Sequence, residues 1–341
     1  RYWRDWSSDV CSSDLKDEKE AARWYAKAAE KGHAGAQCNL GWAFEKGVGL
    51  PKNEKEAVKW YEKAAAFKNA KVMHYLGRKL MTHELPGVAQ KMPEYYFQEL
   101  SALSLRGKGS SENYLIGMGS LETGAFLKAK EAFLQAGNQY GPTAQNIQPE
   151  AMRLASPKDP WLGSILQILD GNGSVIGSGV FFEQDGWVLT AAHVVAGQHA
   201  ITVRDSEMNG WPVEGVCPGD FSGDLALLKT SAKNRTGAEL TDADPKVSDV
   251  VIQVGHPWGV LHPIVSRGKV ENIQKNVGTY VCSLASMPGN SGSPVFNEDM
   301  ELIGISSRAT YFIQAKGGMD SSHTWVVPLV ALEKMARAAQ K

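Results

Sequence analysis

A set of residues recurs at an interval of 36: Trp24-Tyr25 returns as Trp60-Tyr61, Lys27-Ala28-Ala29 as Lys63-Ala64-Ala65, and Leu40-Gly41 as Leu76-Gly77. An interval this short holds one supersecondary unit, which cannot bury its apolar face alone, so the copies must stack into a solenoid. Residues 18–31 and 54–67 are rich in Ala, Lys and Glu, place Ala and aromatic residues at helical spacing, and contain no proline. Gly32 and Gly47-Val48-Gly49-Leu50-Pro51 supply helix stops, which predicts antiparallel helix pairs. The pattern weakens through Tyr95-Tyr96 and Leu115-Ile116-Gly117, with 127–136 as a last worn copy, so the helical repeat domain is assigned residues 16–145. Tryptophans and tyrosines at repeat positions are expected in its core. Such an array suits a protein partner; the alternative is that it only packs against the next domain.

Pro142, Pro149, Pro157 and Pro160 then fall close together among Asn and Ser, a composition that breaks helices, and residues 146–160 read as a linker. After Trp161 the helical spacing gives way to short β-branched runs at 165–169, 175–182, 187–190, 200–203, 225–228, 250–254, 280–284 and 302–305. Runs of this length between Gly, Asp and Asn turns predict an all-β domain over 161–341, long enough for two small barrels, with a terminal helix over 327–341. The expected architecture is multidomain: an α-solenoid of helix pairs, then an all-β double barrel.

The 36 basic and 37 acidic residues leave a formal charge of −1, which gives no field to gather nucleic acid or coat an anionic membrane. No apolar run approaches the ~20 residues a bilayer span needs. Cys11, Cys38, Cys217 and Cys282 form no Cys-x-x-Cys pair and are too scattered for a disulfide framework; small buried thiols are expected, with a bridge between Cys217 and Cys282 as the alternative. Residues 1–15, with Asp5-Trp6-Ser7-Ser8-Asp9-Val10-Cys11, look like translated adapter sequence and are set aside as non-native.

Three motifs in the β-rich half carry chemistry. Val188-Leu189-Thr190-Ala191-Ala192-His193 runs an apolar strand into two small residues and an imidazole. Gly223-Asp224-Leu225-Ala226-Leu227-Leu228 sets a carboxylate just ahead of an apolar strand, where it is costly without a donor such as an imidazole N–H. Pro288-Gly289-Asn290-Ser291-Gly292-Ser293-Pro294 flanks a serine with glycines, which permit the tight backbone that exposes Oγ and aims successive N–H groups at one spot. Separately these read as a structural histidine, a turn cap and a hairpin turn. Together they supply a base, its orienting acid, a nucleophile and oxyanion donors at Gly289 and Ser291, in the order His193, Asp224, Ser291.

Two resemblances rest on these residues. Leu40-Gly41-Trp42-Ala43-Phe44-Glu45-Lys46-Gly47-Val48-Gly49, followed by Ala57 to Ala65, resembles the Sel-type repeat, a relative of the tetratricopeptide repeat. Residues 161–335 resemble the trypsin-like, chymotrypsin-fold serine peptidases of the high-temperature-requirement and bacterial glutamyl endopeptidase kind. The Thr-Ala-Ala-His run, the Asp-Leu-Ala-Leu-Leu run, Val254-Gly255-His256-Pro257-Trp258-Gly259, the Pro-Gly-Asn-Ser-Gly-Ser-Pro loop and Leu302-Ile303-Gly304-Ile305 follow in that order. The resemblance implies a bacterial serine endopeptidase acting on polypeptide outside the cytoplasm, without metal or cofactor. His193 would be general base and acid, Asp224 its orienter, and Ser291 the nucleophile of an acyl-enzyme.

It also places Ala285 at the floor of the primary specificity pocket, with Ser306 and Ser307 along it. That floor has no carboxylate, so a small or medium apolar side chain is expected there; His323 reading an acidic one is the alternative. His199, His256 and His262 are expected in loops or on the surface. Asn290 stands where pancreatic-type relatives carry an aspartate and no Ile-Val-Gly-Gly segment is present, so activation by zymogen cleavage is not expected. The terminal helix leaves no room for the peptide-binding module of many relatives. A barrel that only binds peptide, as an inactive adaptor, and an esterase on the same barrel are the rival readings.

Overall fold

The computed structural model describes residues 17–85, 91–137, 144–182, 186–217, 224–233, 235–241, 243–274, 279–313 and 319–328, with the backbone path alone at 217, 308–313 and 319–323. The chain divides into two compact units, residues 1–123 and 124–341.

The first unit holds helices α1 (Glu18–Glu30), α2 (Ala34–Lys46), α3 (Glu54–Ala65), α4 (Ala70–Met81), α5 (Pro93–Ala102) and α6 (Ser110–Glu122). The interval of 36 governs helix starts and caps alike: Asp17 and Asn53 cap α1 and α3, and His33 and Asn69 cap α2 and α4, each accepting from backbone N–H groups of the first turn. It also fixes where helices touch. A side chain on Gly41 would meet the Tyr61 ring at 2.9 Å and one on Gly77 the Phe97 ring at 3.1 Å, so both glycines let an aromatic of the following helix lie against the backbone. The repeat aromatics divide between core and surface: Tyr61 is fully buried, whereas Trp24 is 62% exposed because its position on α1 faces outward under Lys27.

Buried Glu45 joins three helices of this unit, its Oε2 accepting from the Tyr61 hydroxyl at 2.9 Å and the Tyr75 hydroxyl at 2.6 Å. Glu45→Ala removes the carboxylate that accepts from two buried hydroxyls, at about 1–3 kcal/mol in all. The expected outcome is a clear fall in the unfolding temperature of the repeat unit, measured by differential scanning calorimetry.

The second unit begins with α7 (Phe126–Gln135) and β1 (Met152–Leu154). Six strands then close a barrel: β2 (Ile165–Asp170), β3 (Val175–Phe182), β4 (Trp187–Ala191), β5 (Ile201–Arg204), β6 (Gly210–Cys217) and β7 (Leu225–Thr230), in the order β2-β3-β4-β7-β6-β5. The single turn α8 (Ala192–Val195) follows β4. A second sheet contains β8 (Val250–Gly255), β9 (Ile264–Gln274), β10 (Thr279–Cys282), β11 (Pro294–Phe296), β12 (Leu302–Ile313) and β13 (Met319–Pro328). Its order is β1-β9-β10-β13-β12-β11-β8, and β8 also pairs β9, so these six strands close on themselves with β1 added outside β9.

The strands are apolar on both faces for a reason that the period-2 alternation makes plain. Along β7, Ala226 and Leu228 fill the first barrel, whereas Leu225 and Leu227 point to the other face. Val180, Phe182 and Leu189 join that second set, which packs against Ile252, Val254, Val265, Phe296, Ile305 and Val327 of the second barrel. Val251, Tyr280, Cys282, Val295, Ile303 and Val326 fill the second barrel itself. The shared apolar layer packs the two barrels against each other.

Cys38 and Cys282 are free, buried thiols, as expected, so the alternative bridge from Cys282 to Cys217 is not formed. One expectation of secondary structure changes. Val327 and Pro328 complete β13 rather than opening a terminal helix, because Val327 pairs with Ile305; the rest of that segment, like residues 1–15, lies outside the described residues.

Candidate active site

Strand register delivers the first two groups. β4 pairs β7 with Ala191 opposite Leu225, so Asp224 arrives beside Ala192, whose N–H donates to the Asp224 carbonyl at 3.1 Å. The small, buried Ala191 and Ala192 then admit the turn α8, and the carboxylate takes both donors that His193 presents: the backbone N–H on Oδ1 at 2.9 Å and ring Nδ1 against Oδ2 at 2.7 Å. An ionised carboxylate only accepts, so Nδ1 carries the proton and Nε2 keeps its lone pair. Burial, the largest influence on Asp224, raises its pKa. The hydrogen bonds from the His193 ring, the Ser307 hydroxyl and the His193 N–H, with the imidazole charge, outweigh it and hold the carboxyl below its ordinary value. Asp224 has a φ of 57°, a left-handed backbone that Asp tolerates better than most residues.

Ser291 is held by both barrels. Its carbonyl accepts from Ser178 N of β3 at 2.8 Å, and the next residue, Gly292, donates its N–H to the Ser306 carbonyl of β12 at 2.8 Å. Gly292 has a φ of 84°, and a Cβ there would lie 2.1 Å from both the Ser178 carbonyl and the Thr190 hydroxyl, so no other residue fits without moving the barrel wall. Ser291 Oγ donates to the Ser307 carbonyl at 3.4 Å, and the Ser307 hydroxyl donates to Asp224 Oδ2. One residue of β12 thus bridges the serine to the Asp224–His193 pair.

The loop before Ser291 is fixed carbonyl by carbonyl. The Pro288 carbonyl accepts from Trp258 N at 2.5 Å, the Gly289 carbonyl from Ser178 Oγ at 2.9 Å, and the Asn290 carbonyl from Ser293 N at 3.0 Å. In a trans peptide the N–H points opposite to its C=O, so holding the Pro288 and Asn290 carbonyls sets the directions of the Gly289 and Ser291 N–H groups. Among the described residues neither N–H has an acceptor. Asn290 donates from Nδ2 to the Ala285 carbonyl at 2.9 Å and to Gln253 Oε1 at 3.2 Å, a tie that needs no charged partner.

Against known families, residues 177–305 match the trypsin-like peptidase domain, and residues 14–33 and 34–66 match the Sel1 repeat. Residues 177–305 are a trypsin-like peptidase domain. A protein of Halomonas elongata named "Probable periplasmic serine endoprotease DegP-like" is 37% identical over 140 residues, covering 39% of this chain and 29% of the relative. One of the same name from a Marinomonas strain is 33% identical over 180 residues, covering 51% and 38%. The chain thus spans less than two fifths of the length of these relatives. A solved serine endoprotease from Yersinia pestis aligns with a TM-score of 0.45 at 23% identity, over 52% of this chain and 63% of that one.

Within the peptidase domain, the expected pocket residues have specific neighbours. Ala285 is fully buried, its N–H on the Ser266 hydroxyl at 3.2 Å. Ser306 accepts from Gln253 Nε2 at 2.8 Å, and Ser307 turns its hydroxyl to Asp224. His323 lies on β13 opposite Thr310, and its side chain lies outside the described part. His256, expected in a loop or on the surface, is wholly buried, because its N–H donates to Ser178 Oγ and its Nδ1 lies 3.0 Å from the Val260 carbonyl; burial lowers its pKa to about 3. Sequence reasoning missed Ser178, which joins His256 to Gly289. Its setting, Gly177-Ser178-Gly179, was the available signal, since a side chain on Gly177 would meet Val194 at 2.6 Å and the Ser291 carbonyl at 2.9 Å.

Proposed function

We propose that the second unit is a serine endopeptidase that cleaves polypeptide through an acyl-enzyme, with His193, Asp224 and Ser291 as its triad. The carrying observation is the 2.7 Å contact of His193 Nδ1 with Asp224 Oδ2, joined through Ser307 to Ser291. His193 Nε2 takes the Ser291 proton as Oγ attacks the scissile carbonyl, and Asp224 holds the ring in the tautomer this requires. The Gly289 and Ser291 N–H groups donate to the developing oxyanion. His193 then protonates the leaving amine, and water repeats the sequence to release the acyl group. Ala285 in the pocket floor favours a small or medium apolar side chain. The Sel1 repeats suit the docking of a protein partner.

A second reading has its own observation: Ser291 Oγ rests on the Ser307 carbonyl, and the described residues show no hydrogen bond from it to His193. On that reading the domain is a latent peptide-binding adaptor. A fluorophosphonate probe decides between them. The peptidase reading expects stoichiometric phosphonylation mapped to Ser291 by peptide mass spectrometry; a folded protein that takes no label is the adaptor.

A further inference from the structure

The peptidase match begins at residue 177, yet the second unit begins at Gly124, and the intervening segment touches the loop before Ser291 at Ser286 and the turn packed on that loop at Trp258. Phe133, fully buried on α7, stacks on Trp258 with ring centroids 4.7 Å apart and planes at 25°. Eleven residues beyond α7, Asn146 donates from Nδ2 to the Ser286 carbonyl at 2.7 Å, and Lys130 of α7 ties the two places together by donating to the Ile147 carbonyl at 2.9 Å. β1 then anchors the segment on β9, with Arg153 opposite Val265.

Resting on the peptidase reading, we propose that Phe133 is a positioning residue for the oxyanion site. Its stack on Trp258 holds the Trp258 N–H against the Pro288 carbonyl and so aims the Gly289 N–H. Trp258 has a φ of 51°, a left-handed conformation that is unusual for a bulky residue and persists only where surroundings enforce it. Phe133 is such a surrounding, since the ring it grips belongs to the residue whose backbone N–H does the work. Nothing lies between the two loops to absorb movement: a Cβ on Gly289 would come 2.7 Å from the His256 carbonyl and 2.9 Å from Trp258 N. A shift of Trp258 therefore passes directly to Gly289. Asn146 secures the same loop two residues earlier. The pancreatic-type device, an aspartate before the nucleophile paired with a new N-terminus, is replaced here by Asn290, whose Nδ2 donates to the Ala285 carbonyl and Gln253 Oε1. The helix ahead of the barrels takes over the task of holding the loop.

The test compares the full chain with Phe133→Leu, which keeps apolar bulk but removes the aromatic face, and with Phe133→Tyr, which restores it. A merely structural Phe133 would change the unfolding temperature and leave per-molecule kinetics alone. A positioning Phe133 gives a kcat lowered roughly 10- to 100-fold in Phe133→Leu with KM little changed, because a displaced donor weakens the transition state and spares ground-state binding. Phe133→Tyr regains kcat, and amide hydrogen exchange of Phe133→Leu rises at Trp258 and Asn290, whose N–H groups donate to the Pro288 and Met287 carbonyls, while the first barrel keeps its protection. Unchanged kcat, or a loss of kcat with exchange rising evenly over the whole unit, overturns the proposal. If the unmodified chain hydrolyses no peptide and takes no fluorophosphonate, the peptidase reading fails by itself. The exchange comparison still rules: unchanged exchange at Trp258 and Asn290 in Phe133→Leu refutes the hold on the loop.

Discussion

Ser291→Ala is expected to lower kcat for peptide hydrolysis by about five to six orders of magnitude while the protein stays folded. The reason lies in what the hydroxyl does at rest. Its hydrogen bond to the Ser307 carbonyl, at 3.4 Å, is long, so its removal changes stability by about 0.5 kcal/mol or less. The backbone at Ser291 is pinned by Ser178 N on its carbonyl and by Gly292 N on Ser306, none of which needs the side chain. A calorimetric transition close to that of the unmodified chain, with cleavage of a chromogenic peptide reduced to the background left by the oxyanion donors, is the expected pair of results. His193→Ala should fall about as far, and the double variant hardly further, because the two groups act as one unit. Hydrolysis surviving in Ser291→Ala would mean that another nucleophile does the chemistry.

Asp224→Asn is expected to lower kcat about 10⁴-fold. Asn can keep one bond, accepting the His193 backbone N–H on Oδ1, but it then turns an N–H₂ toward His193 Nδ1, where the carboxylate now accepts. The imidazole must move its proton to Nε2, and the lone pair facing Ser291 is lost. The pH dependence of stability gives a second readout. The Asp224 carboxyl has a lowered pKa in the folded chain, so its contribution is present in full above the unfolded carboxylate value of about 4 and is lost as pH falls through the folded value. The stability difference between the unmodified chain and Asp224→Asn should accordingly narrow on acidification below about pH 4. A constant difference across that range in urea titrations would show that the carboxylate is not held in this way.

Much of the architecture was legible because it repeats or alternates. The interval of 36 set helix starts at residues 18 and 54 and at 34 and 70, and even the caps. Apolar runs placed β3 at 175–182 and β8 from residue 250, since strands buried on both faces read as continuous hydrophobic stretches. β6, β9 and β13 gave no such run. β6 contains Pro212 and Gly215, β9 turns several residues to solvent, and β13 opens with Asp320-Ser321-Ser322; their pairing with neighbours makes them strands. The residues of the candidate site were legible for another reason, since each sits in a short motif whose local backbone is unusual: alanines before His193, Asp224 at a strand start, glycines around Ser291.

By itself the sequence determined the order of helical repeats and β-rich domain, and the three residues that the peptidase reading rests on. Local spacing is enough for these, because helical period, strand alternation and glycine-flanked loops act over a few residues. Tertiary structure alone decided what surrounds them. Ser307 turns to Asp224 rather than outward, His256 is buried against Ser178, and Phe133 reaches Trp258 across 125 positions of chain. Each is a meeting of side chains from separately folded segments, set by barrel register and by which carbonyls lack a donor, and spacing along the chain carries no record of either.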